Sequence, residues 1–193
     1  MAVLVVTSAI IGCTKLPPPT ISVVEKPRDL VVFDIDGTLT PEVNDSLEVR
    51  ADAADVAREY AKRGYEVLYL TARRTYLQRH IPAWLRQHGF PEGDLQTAQS
   101  RQDNLDPEAF KVRVLEQYKR AGWHLKYAYG DSSTDFTAYA KVGIEKSHVF
   151  ALRRRDATTC QPGQFRVCLN DFTAHLPFLN ASVPLTRAAA GKP

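Results

Sequence analysis

The chain has 193 residues, of which 44% are hydrophobic and 24% are charged, and its net charge is +3. This length suits one full domain, and so mild a charge does not indicate a nucleic-acid partner, although it suits an acidic substrate. No apolar run reaches the length of a transmembrane helix, so the one candidate membrane signal lies at the N-terminus.

An uncharged apolar segment opens the chain. Residues 1–12 are dominated by Ala, Val, Leu and Ile, and with Cys13 they resemble a signal peptide that ends in a bacterial lipobox. We therefore predict a signal peptide over 1–12, a lipidated Cys13 and a proline-rich linker over 13–29, which places the protein at the periplasmic side of the cell envelope. Because no Lys or Arg precedes the apolar run, a first strand or buried terminal segment is the alternative, and the protein would then be cytoplasmic.

A buried strand is predicted to end in two carboxylates. Residues 30–33 form a short β-branched and aromatic run, which is typical of a strand covered on both faces. Asp34 and Asp36 follow two positions apart and point to the same side of an extended chain, and Gly37 then lets the backbone turn. Two like charges at the end of a buried strand are costly without a cation. A divalent metal with a phosphate meets that need, and a solvated turn after an edge strand is the alternative.

Strands and helices alternate along the rest of the chain. This alternation predicts a Rossmann-like, three-layer α/β/α fold with a parallel central sheet over residues 30–180, followed by a mobile tail over 181–193. Further strands are predicted over 66–70, 95–98, 125–129 and 147–152. Helices are predicted over 50–63, over 107–120, from the end of the 125–129 strand to about 141, and over 172–179. Another helix is predicted to follow residues 71–74 and to run to about 88, where Pro82 marks either a break or the first turn of a second helical piece.

Three of the predicted strands end in polar side chains of the kind that bind ligands. In open parallel sheets, ligands bind at the carboxyl ends of the strands. These side chains are Asp34 and Asp36, Thr71 and Arg73, and Asp131 and Asp135. Asp131 and Asp135 share one helix face and form, with Asp34, an oxygen-rich cluster that suits Mg²⁺. The alternatives are carboxylates that only complement a helix dipole and an ordinary helix cap at Thr71.

Two cysteines near the C-terminus are predicted to pair. Cys160 and Cys168 flank residues 161–164, which have the composition of a turn. A hairpin would bring the two together, and an exported protein meets an oxidising compartment, so we predict a disulfide. Two buried thiols are the alternative if the leader is not cleaved.

Four short motifs occur in an order that resembles the haloacid dehalogenase (HAD) superfamily. They are Phe-Asp-Ile-Asp-Gly-Thr-Leu-Thr at 33–40, Leu-Thr-Ala-Arg at 70–73, Phe-Lys at 110–111 and Gly-Asp-Ser-Ser-Thr-Asp at 130–135. Within that superfamily the chain is most similar to the lipin-type domain, which also occurs at the C-terminus of metazoan phosphatidylinositol transfer proteins. Residues 64–73 carry this similarity most strongly, and it covers about residues 30–179.

The resemblance implies a Mg²⁺-dependent phosphatase with a HAD-like fold and a minimal cap domain or none. Asp34 would be the nucleophile that forms an aspartyl-phosphate. Asp36 would protonate the leaving oxygen and then activate water. Thr71 and Lys111 would orient and neutralise the phosphoryl group as charge develops.

A metal site and a substrate-binding loop are also implied by the resemblance. Asp131 would hold Mg²⁺ together with Asp34 and the carbonyl group of Asp36, and Asp135 would support it. The residues expected to contact the substrate are Gly37, Thr38, Ala72 and Arg73.

The expected substrate is a phosphomonoester, with a phospholipid such as phosphatidate as one candidate. The chain departs from lipins at Thr71, where they usually have Ser, and at residues 130–132, where Gly-Asp-Ser stands in place of Gly-Asn-Arg. The alternative is a non-catalytic module related to the transfer proteins, which bind phosphatidate and often lack the nucleophile. Its contacts with an anionic membrane would come from Arg73, Arg74, Arg79 and the run at 153–155. This chain retains both aspartates, which favours catalysis.

Overall fold

A parallel six-stranded sheet forms the centre of the computed structural model, which describes residues 16–18, 20–43 and 47–190. Its order is β3-β2-β1-β4-β5-β6, so β1 and β4 are central, and every neighbouring pair is parallel. The strands are β1 (Arg28–Asp34), β2 (Glu66–Thr71), β3 (Asp94–Thr97), β4 (Trp123–Gly130), β5 (Val149–Leu152) and β6 (Val167–Leu169).

Helices cover both faces of this sheet. Within the described ranges they are α1 (Ala53–Lys62), α2 (Ile81–Gln87), α3 (Arg101–Leu105), α4 (Pro107–Arg120), α5 (Ser133–Lys141), α6 (Leu176–Ser182) and α7 (Arg187–Ala190). Successive side chains of β1 point to opposite faces of the sheet and belong to two different hydrophobic cores. Val31 and Phe33 pack with α1, α2 and α6, whereas Leu30 and Val32 pack with α4 and α5. The predicted three-layer α/β/α architecture is therefore confirmed.

The structure corrects several predicted elements. The helix predicted after residue 74 begins as a 3₁₀ segment over Thr75–His80. Helix α2 then begins at Ile81 with Pro82 in its first turn, which confirms the second helical piece predicted at Pro82. The short helix α3 was not predicted. Its N-terminus is a capping box, in which the Ser100 hydroxyl accepts from the Asp103 N–H and the Asp103 carboxylate accepts from the Ser100 N–H. The edge strand β6 was also missed, because it has only three residues, which is too few to show a periodic pattern.

The folded region is wider than the predicted limits of 30–180. On the N-terminal side, the Val24 N–H donates to the Ala121 carbonyl over 3.0 Å, and the Trp123 indole donates to the Ser22 carbonyl over 2.9 Å. On the C-terminal side, Val183 and Thr186 are buried, and the Thr186 N–H donates to the Arg63 carbonyl. Parts of the predicted linker and of the predicted tail therefore contact the domain.

The predicted leader, the lipidated Cys13 and residues 191–193 lie outside the described residues. Among the helices that are described, none is both long enough and apolar enough to span a bilayer.

Cys160 and Cys168 are joined by a disulfide, with 5.8 Å between their Cα atoms. The expected hairpin is absent from this described part of the chain. Cys168 lies in β6, which runs parallel to β5, and Cys160 lies in the loop of residues 153–166 that connects these two strands. The disulfide therefore closes part of a crossover connection and holds it to the edge of the sheet.

Removal of this disulfide is expected to lower the free energy of unfolding by about 2–3 kcal/mol, because the bond closes a short loop and restricts the unfolded chain. Urea unfolding of Cys160→Ser/Cys168→Ser against the wild type would measure it. Reductant should destabilise the wild type and leave the double variant unchanged. Equal unfolding of wild type and variant would contradict the prediction.

A chain of buried polar groups crosses the core beside α6. The hydroxyl groups of Tyr60 and Tyr129 are 2.9 Å apart, and the Tyr129 hydroxyl is 2.8 Å from His175 Nε2. His175 also packs on the rings of Phe150 and Phe178. Burial, together with the charge of Arg166, lowers the pKa of His175 from its ordinary 6.5 to about 4.

This depressed pKa predicts a loss of stability in mild acid. Between pH 6.5 and 4 the unfolded chain takes up a proton at His175 that the folded protein does not, so the free energy of unfolding falls as the pH falls. From about pH 7.5 to pH 5 the wild type should lose about 2 kcal/mol more than His175→Gln, as measured by urea unfolding. Equal losses in the two proteins would show that His175 is not held neutral.

Candidate active site

Asp34 lies at the carboxyl end of β1, where the chain enters a tight loop over Ile35–Leu39. The Asp34 side chain is buried, and the Thr38 hydroxyl donates to its Oδ2 over 3.1 Å. Gly37 has a φ of +85°, and a Cβ at this position would collide with the Asp131 carboxylate. Glycine is therefore required here for two reasons: it adopts the positive φ of the turn, and it leaves room for Asp131, which follows the neighbouring strand β4.

Arg50 stabilises this loop by donating hydrogen bonds to its backbone carbonyl groups. Its Nε donates to the Thr38 carbonyl over 2.9 Å, and its Nη2 donates to the Gly37 carbonyl over 2.7 Å. Its Nη1 reaches the Asn170 carbonyl over 2.6 Å, and the side chain is buried. Sequence reasoning placed Arg50 only at a helix start. No motif could have identified this role, because its partners are backbone carbonyls, which every residue carries.

The end of β2 brings Thr71 and Arg73 to Asp36. The Thr71 hydroxyl donates to Asp36 Oδ2 over 2.7 Å and accepts from the Arg73 N–H over 2.9 Å. Arg73 Nε donates to Asp36 Oδ1 over 2.9 Å, and its Nη2 forms an ion pair with the same oxygen. The Asp36 carboxylate is therefore held by Thr71 and Arg73.

Helix α4 delivers Lys111 into the centre of the site. The Lys111 side chain is only 4% exposed, and its ammonium donates to Asp34 Oδ1 over 2.5 Å and to the Asp135 carboxylate. Asp106 caps this helix, with its carboxylate accepting from the Ala109 N–H over 3.0 Å. A lone lysine on a helix is usually solvated, but this one is buried between two acids.

The end of β4 and the first turn of α5 supply the other two acids. Asp135 Oδ2 accepts from the Asp131 and Ser132 N–H groups, each over 3.1 Å, so its second oxygen faces Lys111. Ser132 caps α5 by accepting from the Asp135 N–H. The Asp131 carboxylate pairs with Arg154, which lies on the loop after β5. Arg154 was predicted only as part of a basic run.

Asp34, Asp131 and Asp135 form a compact buried triad, with one carboxylate oxygen from each within 4.8 Å of the others. Burial raises the pKa of Asp34 well above its usual range, Lys111 opposes this rise, and the charges of Asp135 and Asp131 add to it. Burial and the charge of Asp135 likewise raise the pKa of Asp131 to about 7. Burial alone would lower the pKa of Lys111, but the flanking carboxylates outweigh it and raise the pKa.

The charge balance and chemistry of this triad fit a divalent cation. These three buried carboxylates are balanced by two cations, the Lys111 ammonium and the partly exposed Arg154 guanidinium, so one negative charge is in excess. A hard cation such as Mg²⁺ prefers oxygen ligands, and it typically combines few carboxylates with water and substrate oxygens. The triad therefore could hold such an ion.

An open cavity of about 510 Å³ lies over these groups. The predicted site residues that line it are Asp34, Asp36, Thr71, Ala72, Arg73, Lys111, Asp131 and Asp135. Gly37 and Thr38, which were expected to contact the substrate, do not line the cavity in the described part of the chain. They support Asp34 and the loop instead. The cavity is also lined by Arg74, Asn104 and Arg154 and by Val43, Leu77, Pro107, Ser132 and Thr134. The described residues insert no separate domain between the strands.

This sheet, with its carboxylates at the carboxyl ends of β1 and β4, defines a HAD-like, phosphatase-type fold. Solved structures with the same fold include a HAD-like protein from Mesorhizobium loti, with a TM-score of 0.59 and 16% identity over 87% of this chain and 90% of that one. D,D-heptose 1,7-bisphosphate phosphatase from Burkholderia thailandensis has a TM-score of 0.54 and 17% identity over 79% of this chain and 99% of that one.

The chain belongs to the LNS2 domain family of PITM 1-3, whose family model matches residues 31–153. It is 34% identical over 133 residues to Protein retinal degeneration B of Drosophila melanogaster, which covers 67% of this chain. It is 31% identical over 166 residues to human membrane-associated phosphatidylinositol transfer protein 3, which covers 84% of this chain. The matches span only 10% and 16% of the lengths of these two relatives.

Proposed function

We propose that this protein is a Mg²⁺-dependent phosphomonoester hydrolase. The observation that carries the proposal is the position of Asp34. It is a buried carboxylate at the floor of an open cavity, hydrogen-bonded to Lys111 and adjacent to two further acids. A carboxylate in this setting can serve as a nucleophile toward a phosphoryl group that enters from the cavity.

The chain's own residues would share the reaction as follows. An oxygen of Asp34 attacks phosphorus, and the bond from phosphorus to the leaving oxygen breaks, which leaves an aspartyl-phosphate. Asp36 donates a proton to the leaving oxygen and later takes one from the water that hydrolyses the intermediate. The Thr71 hydroxyl and the Lys111 ammonium, which already contact Asp36 and Asp34, donate to the phosphoryl oxygens.

Asp34, Asp131 and Asp135 are the residues that would hold the metal. When bound, Mg²⁺ would neutralise negative charge on the phosphoryl oxygens and orient them. Lys111 balances two of these acids and so limits repulsion among them.

Chelation provides the direct test of this proposal. Purified protein should release inorganic phosphate from a generic aryl phosphate in the presence of Mg²⁺. EDTA should abolish the release, and excess Mg²⁺ should restore it. The same assay should include phosphatidate vesicles, nucleotides and inositol phosphates. If none of these substrates yields phosphate with Mg²⁺ present, the enzymatic proposal fails.

A phospholipid such as phosphatidate is the substrate class that we propose. Val43, which lines the cavity, is 51% exposed, and Tyr76 and Leu105 are 51% and 66% exposed. Tyr76 lies two positions from the cavity-lining Arg74, and Leu105 is next to the cavity-lining Asn104. Apolar groups beside arginines suit an interface between lipid chains and anionic headgroups. A lipid anchor at Cys13 would hold the protein at the periplasmic side of the envelope.

The second candidate function is a non-catalytic module that binds phosphatidate. The observation that favours it is the contact between Arg73 and Asp36, which occupies the expected proton donor with an ion pair. The LNS2 family relatives are named as phosphatidylinositol transfer proteins. If vesicles that contain phosphatidate bind wild type and Asp34→Asn equally, and neither protein releases phosphate, the module is the better description.

A further inference from the structure

Each carboxylate at the carboxyl edge of the sheet has a cationic partner, and these partners differ in exposure. Lys111 and Arg73 each have side chains that are only 4% exposed. Arg154, the partner of Asp131, has a side chain that is 30% exposed, whereas the side chain of Asp131 itself is 2% exposed. Arg154 is therefore the one of these three cations that can leave its carboxylate for water at low cost.

The Asp131 carboxylate has less room to move than the Arg154 guanidinium, because its side chain is buried. Its Oδ2, the oxygen that Arg154 contacts, packs directly against the backbone of Gly37, where even a Cβ would collide with it. A cation held by the triad would share this carboxylate with the Arg154 guanidinium. Two positive charges at one carboxylate repel each other, and the exposed guanidinium is the group that can move.

The backbone around Arg154 is fixed, so a movement would involve its side chain alone. The Arg153 N–H donates to the Leu169 carbonyl over 2.8 Å, and the Arg155 N–H donates to the Pro41 carbonyl over 3.1 Å. Arg154 lines the same cavity as Asp34 and Lys111. A guanidinium released there presents a planar fork of N–H donors that matches the oxygens of a phosphate.

We propose that Arg154 is an exchangeable counter-ion: it neutralises Asp131 while the triad is without metal, and a bound metal releases it to bind an oxygen of the substrate's phosphoryl group. This inference rests on the proposed function, because it takes the triad as the metal site. It makes Arg154 both a competitor of the metal and a ligand of the phosphate.

The test is a pair of calorimetric titrations of Arg154→Gln and wild type. Titration with Mg²⁺ alone should show about five- to tenfold tighter metal binding in the variant, because no ion pair has to be broken. Titration with inorganic phosphate at saturating Mg²⁺ should show about tenfold weaker binding, because one charged donor is lost. A purely structural role would move both affinities in the same direction. Arg154→Lys should restore part of each change.

Arg155→Gln is the matched control. It removes the same charge at the next position, where Arg155 pairs with Glu42 and Glu48, and not with Asp131. If the effect of Arg154→Gln were only a change in overall charge, Arg155→Gln would reproduce it, and the inference would be overturned. Thermal unfolding without metal establishes that both variants are folded before the titrations.

The remaining outcomes separate this inference from the proposed function. Unchanged or weaker Mg²⁺ binding by Arg154→Gln overturns the inference, even if the wild type hydrolyses phosphomonoesters. Unchanged phosphate binding overturns it as well. Failure of the wild type to bind Mg²⁺ overturns both. Opposite shifts in the two affinities, without turnover by the wild type, support the exchange and overturn only catalysis.

Discussion

Replacement of Asp34 by asparagine is expected to lower phosphomonoester turnover by about a thousandfold or more while the protein stays folded. The amide has no negative charge and cannot form the covalent intermediate, although it has the size of the carboxylate. Steady-state release of phosphate in the presence of Mg²⁺ measures the effect. Wild-type turnover by Asp34→Asn would show that another group attacks phosphorus.

The stability of this variant distinguishes loss of chemistry from loss of fold. Asp34 is buried among like charges, and burial already raises its pKa well above the usual range. The asparagine Oδ1 can still accept from Lys111, and its amide can donate to the Thr38 hydroxyl. The free energy of unfolding should therefore stay the same or rise. Asp55→Asn, in an exposed pair with Arg58 on α1, is a matched control that should change neither activity nor stability.

Replacement of Lys111 by methionine is expected to lower the free energy of unfolding by about 3–5 kcal/mol in the absence of metal. Methionine fills a similar volume, but it leaves Asp34 and Asp135 buried together without their shared ammonium. Urea unfolding at about pH 7.5 measures this loss. A loss below about 1 kcal/mol would show that the carboxylates do not depend on Lys111.

Two further measurements identify the cause of this destabilisation. Saturating Mg²⁺ should restore part of the stability of Lys111→Met, because the metal would supply the positive charge that the variant lacks. Lys141→Met is the matched control. Lys141 pairs with Glu108 on the surface, and its removal should cause no measurable change.

Sequence patterns predicted those features that local rules control. The apolar run before Asp34 forms the central strand, Gly64 follows α1 with a φ of +85°, and Asp106 caps α4. These features depend on burial periodicity, backbone conformation and capping, which act over a few residues and therefore leave a readable pattern. A helix usually connects two parallel strands, so the alternation of elements also predicted the layers.

Longer-range pairing could not be predicted in the same way. Lys111 reaches Asp34 across 77 positions, and Arg154 reaches Asp131 across 23. The loop of residues 153–166 forms a crossover with a disulfide and no hairpin, because β6 adds to the sheet edge parallel to β5. The packing of α7 against Gly64 likewise depends on surfaces that meet only in the folded chain.

The sequence by itself determined the alternation of the main strands and helices, the acids at the strand ends and the family-like motifs around them. Only the tertiary structure decided which cation neutralises which acid: Arg73 with Asp36, Lys111 with Asp34 and Asp135, and Arg154 with Asp131. The physical reason is that a carboxylate accepts any donor that the fold brings within hydrogen-bond distance. Charge alone therefore leaves the choice of partner open until the chain has packed.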